Sequence, residues 1–123
     1  MKRIFVVDDE LDIAEALETV LETEGYSVRT CPDGEDCLQA LDEETPDLVL
    51  LDIMMPRLNG YGVLDRLEKA GRQMPVLLMS AVRPADLGGY RDQVVGFMQK
   101  PFSLDTLLDR VADLVDSTAC REL

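Results

Sequence analysis

The sequence contains no histidine, which excludes every catalytic triad and every zinc site that depends on imidazole. Cysteine is scarce: Cys31, Cys37 and Cys120 are an odd number with no CxxC spacing. They make neither a disulfide framework nor a thiolate metal centre, and they fit a reducing compartment, the cytoplasm. Bases are also few, 12 Lys and Arg against 25 Asp and Glu, leaving a net charge of −13. A domain of that sign is repelled by the phosphates of nucleic acid and by anionic membrane surfaces, so direct contact with either is not expected. No apolar run is long enough to span a bilayer, so no membrane insertion is expected, and no signal peptide, linker or internal repeat is apparent.

What the sequence has is enough apolar material for one core. The 123 residues are 46% hydrophobic and suit a single domain over 1–123, with a core from about 2 to 117 and a short C-terminal tail. Most of the 25 acids make a solvated surface. The organising stretch is Leu48 to Gly60, LVLLDIMMPRLNG. Its four apolar residues suit a strand covered on both faces of a parallel sheet, and Asp52 stands where that strand leaves the core. Pro56, Asn59 and Gly60 then turn the chain.

The other elements alternate around it. Arg3 to Val7 is a β-favouring run ending in Asp8, Asp9 and Glu10. From Leu11 to Glu24, Ile13, Leu17, Val20 and Leu21 recur at helical spacing, and Gly25 ends the helix. Tyr26 to Cys31 reads as a second strand. Asp33 is positioned to cap a helix whose inner stripe is Cys37, Leu38 and Leu41. A third helix after Gly60 turns Val63, Leu64 and Leu67 inward and fades at Gly71. Val76 to Met79 is a fourth strand, ending at Ser80. Arg83 to Val95 carries Pro84, Gly88 and Gly89, and each interior glycine costs a helix roughly 1 kcal/mol relative to alanine. A fourth helix there is expected to be short or irregular. Gly96 to Gln99 is a short fifth strand leading to Lys100 and Pro101. Ser103 can cap a last helix with the stripe Leu104, Leu107, Leu108, Val111, Leu114 and Val115. Five strands alternating with five helices imply right-handed βαβ units and a three-layer α/β sandwich.

Such a sheet gathers the carboxyl ends of its strands: Asp8 and Asp9, Asp52, Ser80 and Lys100. Singly, each has a plain structural reading. The acid triplet could cap the first helix, Asp52 could be a turn residue, Ser80 a strand-end hydroxyl, and Lys100 a surface lysine. Together they suggest a site. Clustered carboxylates raise one another's pKa unless a cation intervenes, and all-oxygen ligands suit Mg²⁺. An ammonium and a hydroxyl around a carboxylate nucleophile suit a phosphoryl group.

With these residues in place, the chain resembles the receiver domain of two-component response regulators. The resemblance runs from Lys2 to about Val115 through VVDDE, LVLLDIMMPRLNG, LLMSA and MQKPF. It implies a flavodoxin-like sheet of order 2-1-3-4-5, a detail that comes with the resemblance and not from the pattern. It also implies Asp52 as the phosphorylated residue, with Asp8, Asp9, Asp52 and the Met54 backbone carbonyl around Mg²⁺, for which Mn²⁺ is the alternative. Ser80 matches the switch hydroxyl, Phe97 the switch aromatic, and Lys100 the lysine before a cis-prone Pro101. The implied function is a phosphorylation-controlled module of a phosphorelay, not an enzyme acting on an outside substrate, although it assists its own phosphorylation and dephosphorylation. The implied partners are a histidine kinase or histidine phosphotransfer protein upstream, and an effector or fused output domain downstream; a homodimer is left open. By the same resemblance, Met54 and Val82 occupy the positions from which a polar side chain would orient attacking water; neither can accept a useful hydrogen bond from it, so slow loss of the phosphoryl group is expected. The chain departs from the family between Ser80 and Phe97, where the Gly-Ala-Asp-type signature is missing and the helix is interrupted by glycine. Phe97 also lacks the hydroxyl that a tyrosine would bring.

Rival readings fit less well. A haloacid-dehalogenase-type phosphohydrolase needs an acid two residues after its nucleophile, where this chain has Met54. A flavodoxin-like cofactor binder needs Ser, Thr or Gly after the first strand, where this chain has Asp8, Asp9 and Glu10. A constitutive interaction domain would not need Asp52 and Lys100.

Overall fold

The computed structural model describes residues 2–81, 83 and 87–121, with side chains described through 115. Its five parallel strands are β1 (Arg3–Val7), β2 (Ser27–Cys31), β3 (Leu48–Asp52), β4 (Val76–Ser80) and β5 (Gly96–Gln99), in the order β2-β1-β3-β4-β5. The helices are α1 (Leu11–Thr23), α2 (Gly34–Glu43), α3 (Gly60–Lys69) and α4 (Leu104–Arg121), with a 3-10 helix at Gly88–Gln93. The expected sheet order and alternation are therefore present.

Alternation along the strands divides the core in two. On one face Phe5, Val7, Val49, Leu51, Val76 and Leu78 pack with Cys37, Leu41, Val63, Leu64 and Leu67 of α2 and α3. On the other, Ile4, Val6, Leu48, Leu50, Leu77 and Met79 pack with Leu17 and Leu21 of α1 and Leu107, Val111 and Val115 of α4. Every residue of β3 and β4 is buried, as continuous apolar runs in a parallel sheet require. Each fully buried leucine or valine contributes roughly 1.5–3 kcal/mol, so the central strands are the most strongly held part of the molecule.

The helix ends follow local chemistry. Asp33 caps α2 by accepting from the Asp36 N–H at 2.9 Å, Asn59 caps α3 through Gly62 at 3.0 Å, and Ser103 caps α4 through Thr106 at 3.1 Å. Gly25 ends α1 at φ +94, a conformation that a Cβ would disfavour. Two expected stripe residues belong to neither core cluster. Leu104 is 39% exposed because it opens α4 before the helix reaches the sheet, and Val20 is only half-buried. The second strand begins at Ser27, one residue later than expected.

Between β4 and β5 the expected fourth helix is the 3-10 helix, none of whose residues is buried. Leu87 just before it is buried and anchors it to the core, and Gly88 takes φ +57. Tyr90 stacks on Tyr61 of α3 at 4.5 Å, and its hydroxyl donates to Asp65 at 3.1 Å. Positive φ at glycine breaks the α-helical run, and the two aromatic rings hold what remains. Pro84 lies outside the described residues.

Candidate functional site

The site follows from the strand order. Consecutive connections run to opposite sides of β1, so β1 and β3 flank the point where the winding reverses, and the crevice lies beyond their carboxyl ends. Register then sets the residues. Val7 pairs with Leu51, so Asp8 and Asp52 leave the sheet side by side. Asp52 pairs with Met79, and Ser80 with Gln99, which brings Ser80 and Lys100 to the same edge. The Lys100 N–H donates to the Ser80 carbonyl at 2.7 Å and ties the last two strands together beside the crevice.

Asp8 and Asp52 are buried, at 1% and 3% exposure, whereas Asp9 and Glu10 face solvent. One carboxylate oxygen from each of these four lies within 4.8 Å of the others. Lys100 Nζ donates to Asp8 Oδ2 at 3.0 Å and to Asp52 Oδ2 at 3.3 Å, with Glu10 Oε1 at 3.8 Å. Asp52 Oδ1 accepts from the Met54 N–H at 3.3 Å. Ser80 is buried at the end of β4 and Phe97 is half-buried in β5, paired with Leu78. The peptide bond between Lys100 and Pro101 is cis. The carboxylates of Asp8, Asp9 and Asp52 thus meet the Lys100 ammonium, Ser80 ends the adjoining strand, and Phe97 packs against the core face that carries α2 and α3; Val82 lies outside the described residues. Met54 is present by its backbone N–H, and the residue is 65% exposed. Glu10 is an addition. It stood in the acid triplet of the sequence, but the resemblance drew attention to the first two acids only.

The electrostatics are those of a site suited to a cation. Burial, and secondarily the neighbouring Asp8 carboxylate, push Asp52 up to about 6, against the opposing pull of Lys100 and the Met54 N–H. Burial alone would lower Lys100, but its hydrogen bond to Asp8 and the charges of Asp52 and Asp8 outweigh it and hold the ammonium above its ordinary value. Four acids facing a single lysine leave net negative charge, and their hard oxygens fit Mg²⁺ or Mn²⁺. The buried thiols take no part. Burial pushes Cys31 up to about 11 and Cys37 to about 12, which leaves them protonated and unreactive.

A sheet wound in this order, with an acid cluster and a lysine at the switch point, defines a receiver-type phosphoacceptor module. The chain belongs to the response regulator receiver domain family, whose model matches residues 4–112. The family's role is phosphoacceptor signalling in two-component systems rather than catalysis on an outside substrate, and its members bind Mg²⁺ at an acidic pocket. The chain is 40% identical over 95% of its length to a probable transcriptional regulator, ycf27, of Cyanophora paradoxa, and matches 49% of that protein. It is 38% identical over 94% of its length to the response regulator MprA of Mycolicibacterium vanbaalenii, covering 51% of it. The chain therefore spans about half the length of the curated relatives it matches. Among solved structures, the receiver domain of the Francisella response regulator 1452 superposes with a TM-score of 0.88 at 30% identity, covering 96% of this chain and 99% of that one. TrrA of Thermotoga maritima, solved in complex with Mg²⁺–BeF, superposes at 0.83 with 34% identity, covering 93% of this chain and 99% of its own. Among the described residues, no helix is long and apolar enough to cross a membrane.

Proposed function

We propose that Asp52 accepts a phosphoryl group from the phosphohistidine of a histidine kinase or histidine phosphotransfer protein, and that the modification changes the surface through Ser80 and Phe97. The observation that carries this reading is the position of Asp52: it ends the central strand, buried, and is hydrogen-bonded to Lys100 at 3.3 Å within the acid cluster. An Asp52 carboxylate oxygen attacks phosphorus as the P–N bond of the donor breaks, and the departing imidazole nitrogen takes a proton from solvent. Without metal the carboxylate is ionised above about pH 6, and a bound cation would favour that reactive form at lower pH as well. Lys100 moves its hydrogen bond from the carboxylate to a phosphoryl oxygen. Asp8, Asp9, Asp52 and the Met54 carbonyl would hold Mg²⁺, with Glu10 beside them, and the cation would supply charge neutralisation for the transferring group.

The added charge of roughly −1.5 to −2 then draws the Ser80 hydroxyl toward the phosphoryl group, and Phe97 follows into the space it leaves. This is a shift between two packings, and its readout surface includes the segment between β4 and β5. The chain acts as one receiver domain in the cytoplasm, without direct nucleic acid contact, and passes its state to an output domain or a separate effector. The transcriptional-regulator names of its relatives favour an output of that kind. The test is incubation with acetyl phosphate and Mg²⁺ followed by intact mass. One phosphoryl group is expected on the wild type and none on Asp52→Asn; an equal gain on both would assign another acceptor.

A further inference from the structure

The loop joining β3 to α3 is held from outside the site. Arg57 sits in it at φ +64, the one non-glycine residue with positive φ among the described residues. Its guanidinium forms an ion pair with Asp33. Asp33 is only 2% exposed, and its other oxygen caps α2. Beside it, the Gly34 N–H donates to the Leu58 carbonyl at 3.1 Å. A Cβ at Gly34 would meet that carbonyl and stand 2.8 Å from Val63 Cγ2, so the two backbones touch here. The Gly60 N–H closes the loop onto the Ile53 carbonyl at 2.9 Å. Met54, whose N–H donates to Asp52, lies inside the span these contacts enclose.

The choice of residues is informative. Arginine is a poor occupant of a left-handed position, where glycine or asparagine is at ease. Asparagine caps a helix about as well as aspartate, without burying a charge. A loop that needed only to be stable would be better served by Gly at 57 and Asn at 33. An ion pair that spans two loops does something those residues cannot: it adds a side-chain tie to the Gly34–Leu58 backbone bond that already joins the far loop to the start of α2.

We propose that the Arg57–Asp33 pair is a positioning clamp, which fixes the β3–α3 loop so that the Met54 backbone stays aligned with Asp52 for Mg²⁺ and phosphoryl binding. The clamp rests on the proposal that Asp52 is the acceptor. Neither residue touches the reacting atoms, and both act through Met54.

The test compares the full chain with Arg57→Gly, Arg57→Lys and Asp33→Asn. Three quantities are read: the denaturation midpoint, hydrogen exchange at the Met54 and Gly60 amides without metal, and the Mg²⁺ midpoint from the Met54 amide shift. Arg57→Gly separates the two roles, because glycine suits the backbone while removing the pair. Relief of the positive φ offsets the cost of leaving buried Asp33 without its partner, so it should unfold near the wild-type midpoint, yet exchange faster at Met54 and Gly60 and need about tenfold more Mg²⁺, as expected for loss of a group that orients metal ligands. Asp33→Asn should shift the Mg²⁺ midpoint in the same way, and Arg57→Lys should stay closer to wild type. Wild-type exchange and a wild-type Mg²⁺ midpoint in Arg57→Gly would overturn the clamp, even if Asp33→Asn failed to fold. A wild type that neither responds to Mg²⁺ nor gains phosphoryl would instead overturn the acceptor reading, and exchange at Met54 and Gly60 would then decide the clamp alone.

Discussion

Replacing Asp52 by asparagine should stabilise the metal-free protein. Asp52 is held at about 6 in the fold against an ordinary 3.8, chiefly by burial and then by Asp8. The folded state therefore binds its proton more tightly than the unfolded chain does, and stability falls as pH rises from about 4 to about 6. Above that window the ionised carboxylate is a standing penalty. At 1.36 kcal/mol per tenfold, the displacement corresponds to at most about 3 kcal/mol. Two effects reduce it. The crevice opens to solvent past Asp9 and Glu10, and asparagine forfeits the charge-assisted bond from Lys100, which keeps Asp8 at 3.0 Å. A net gain of about 1–2 kcal/mol remains. The assay is urea denaturation of both proteins in chelator at pH 7 and again near pH 4.5. Asp52→Asn should lead at pH 7, and the lead should shrink at the lower pH as wild-type Asp52 takes up its proton. Mg²⁺ should also narrow the gap by binding folded wild type. An asparagine variant less stable than wild type at pH 7 without metal would refute the claim that the ionised carboxylate is under strain.

Asp9→Ala should lose most of the Mg²⁺ response of a probe at the site, since of the two exposed acids of the cluster Asp9 is the one that the resemblance names as a ligand; an unchanged titration would mean the ligand set is wrong. Met54→Asn should shorten the lifetime of the phosphorylated protein, at or below the ~10²-fold end of positioned acid–base help, because asparagine can orient water and methionine cannot; decay no faster than wild type would exclude that role. The segment from Gly88 to Val95 should exchange its amides faster than α1 or α4, since it is a 3-10 turn with no buried residue; Tyr90→Phe, which removes the bond to Asp65, should speed it further. Protection there equal to that of α1 would contradict this reading.

The parts of the fold that the sequence announces are those where the chemistry is local. LVLL before Asp52 and VLLM before Ser80 are buried on both faces, and runs of that kind leave few other assignments open. Asp33, Asn59 and Ser103 cap helices through bonds to residues three positions on, and such contacts travel with the motif. The site was legible for a related reason: each member sits at a strand end, and strand order alone brings those ends together. Resemblance supplied that order. What the sequence hid is what depends on separate segments meeting. Arg57 and Asp33 lie 24 residues apart, and nothing near either one marks them as a pair. The Tyr90 bond to Asp65 spans 25 residues and is equally silent. Glu10 was visible as the third acid of a run, but only the folded position of its carboxylate, 3.8 Å from Lys100 Nζ, shows that it reaches the cluster. The glycines after Ser80 foretold an irregular segment without revealing that a 3-10 turn pinned by stacked tyrosines would form it.

The central claim is that the carboxylate of Asp52 is the atom group that takes the phosphoryl. The direct measurement is chemical trapping: wild-type protein is treated with acetyl phosphate and Mg²⁺, reduced with borohydride, which converts an acyl phosphate to an alcohol, and mapped by peptide mass spectrometry. The account predicts homoserine at position 52 and unmodified aspartate at positions 8 and 9. Homoserine at either of those positions, with aspartate intact at 52, would contradict it.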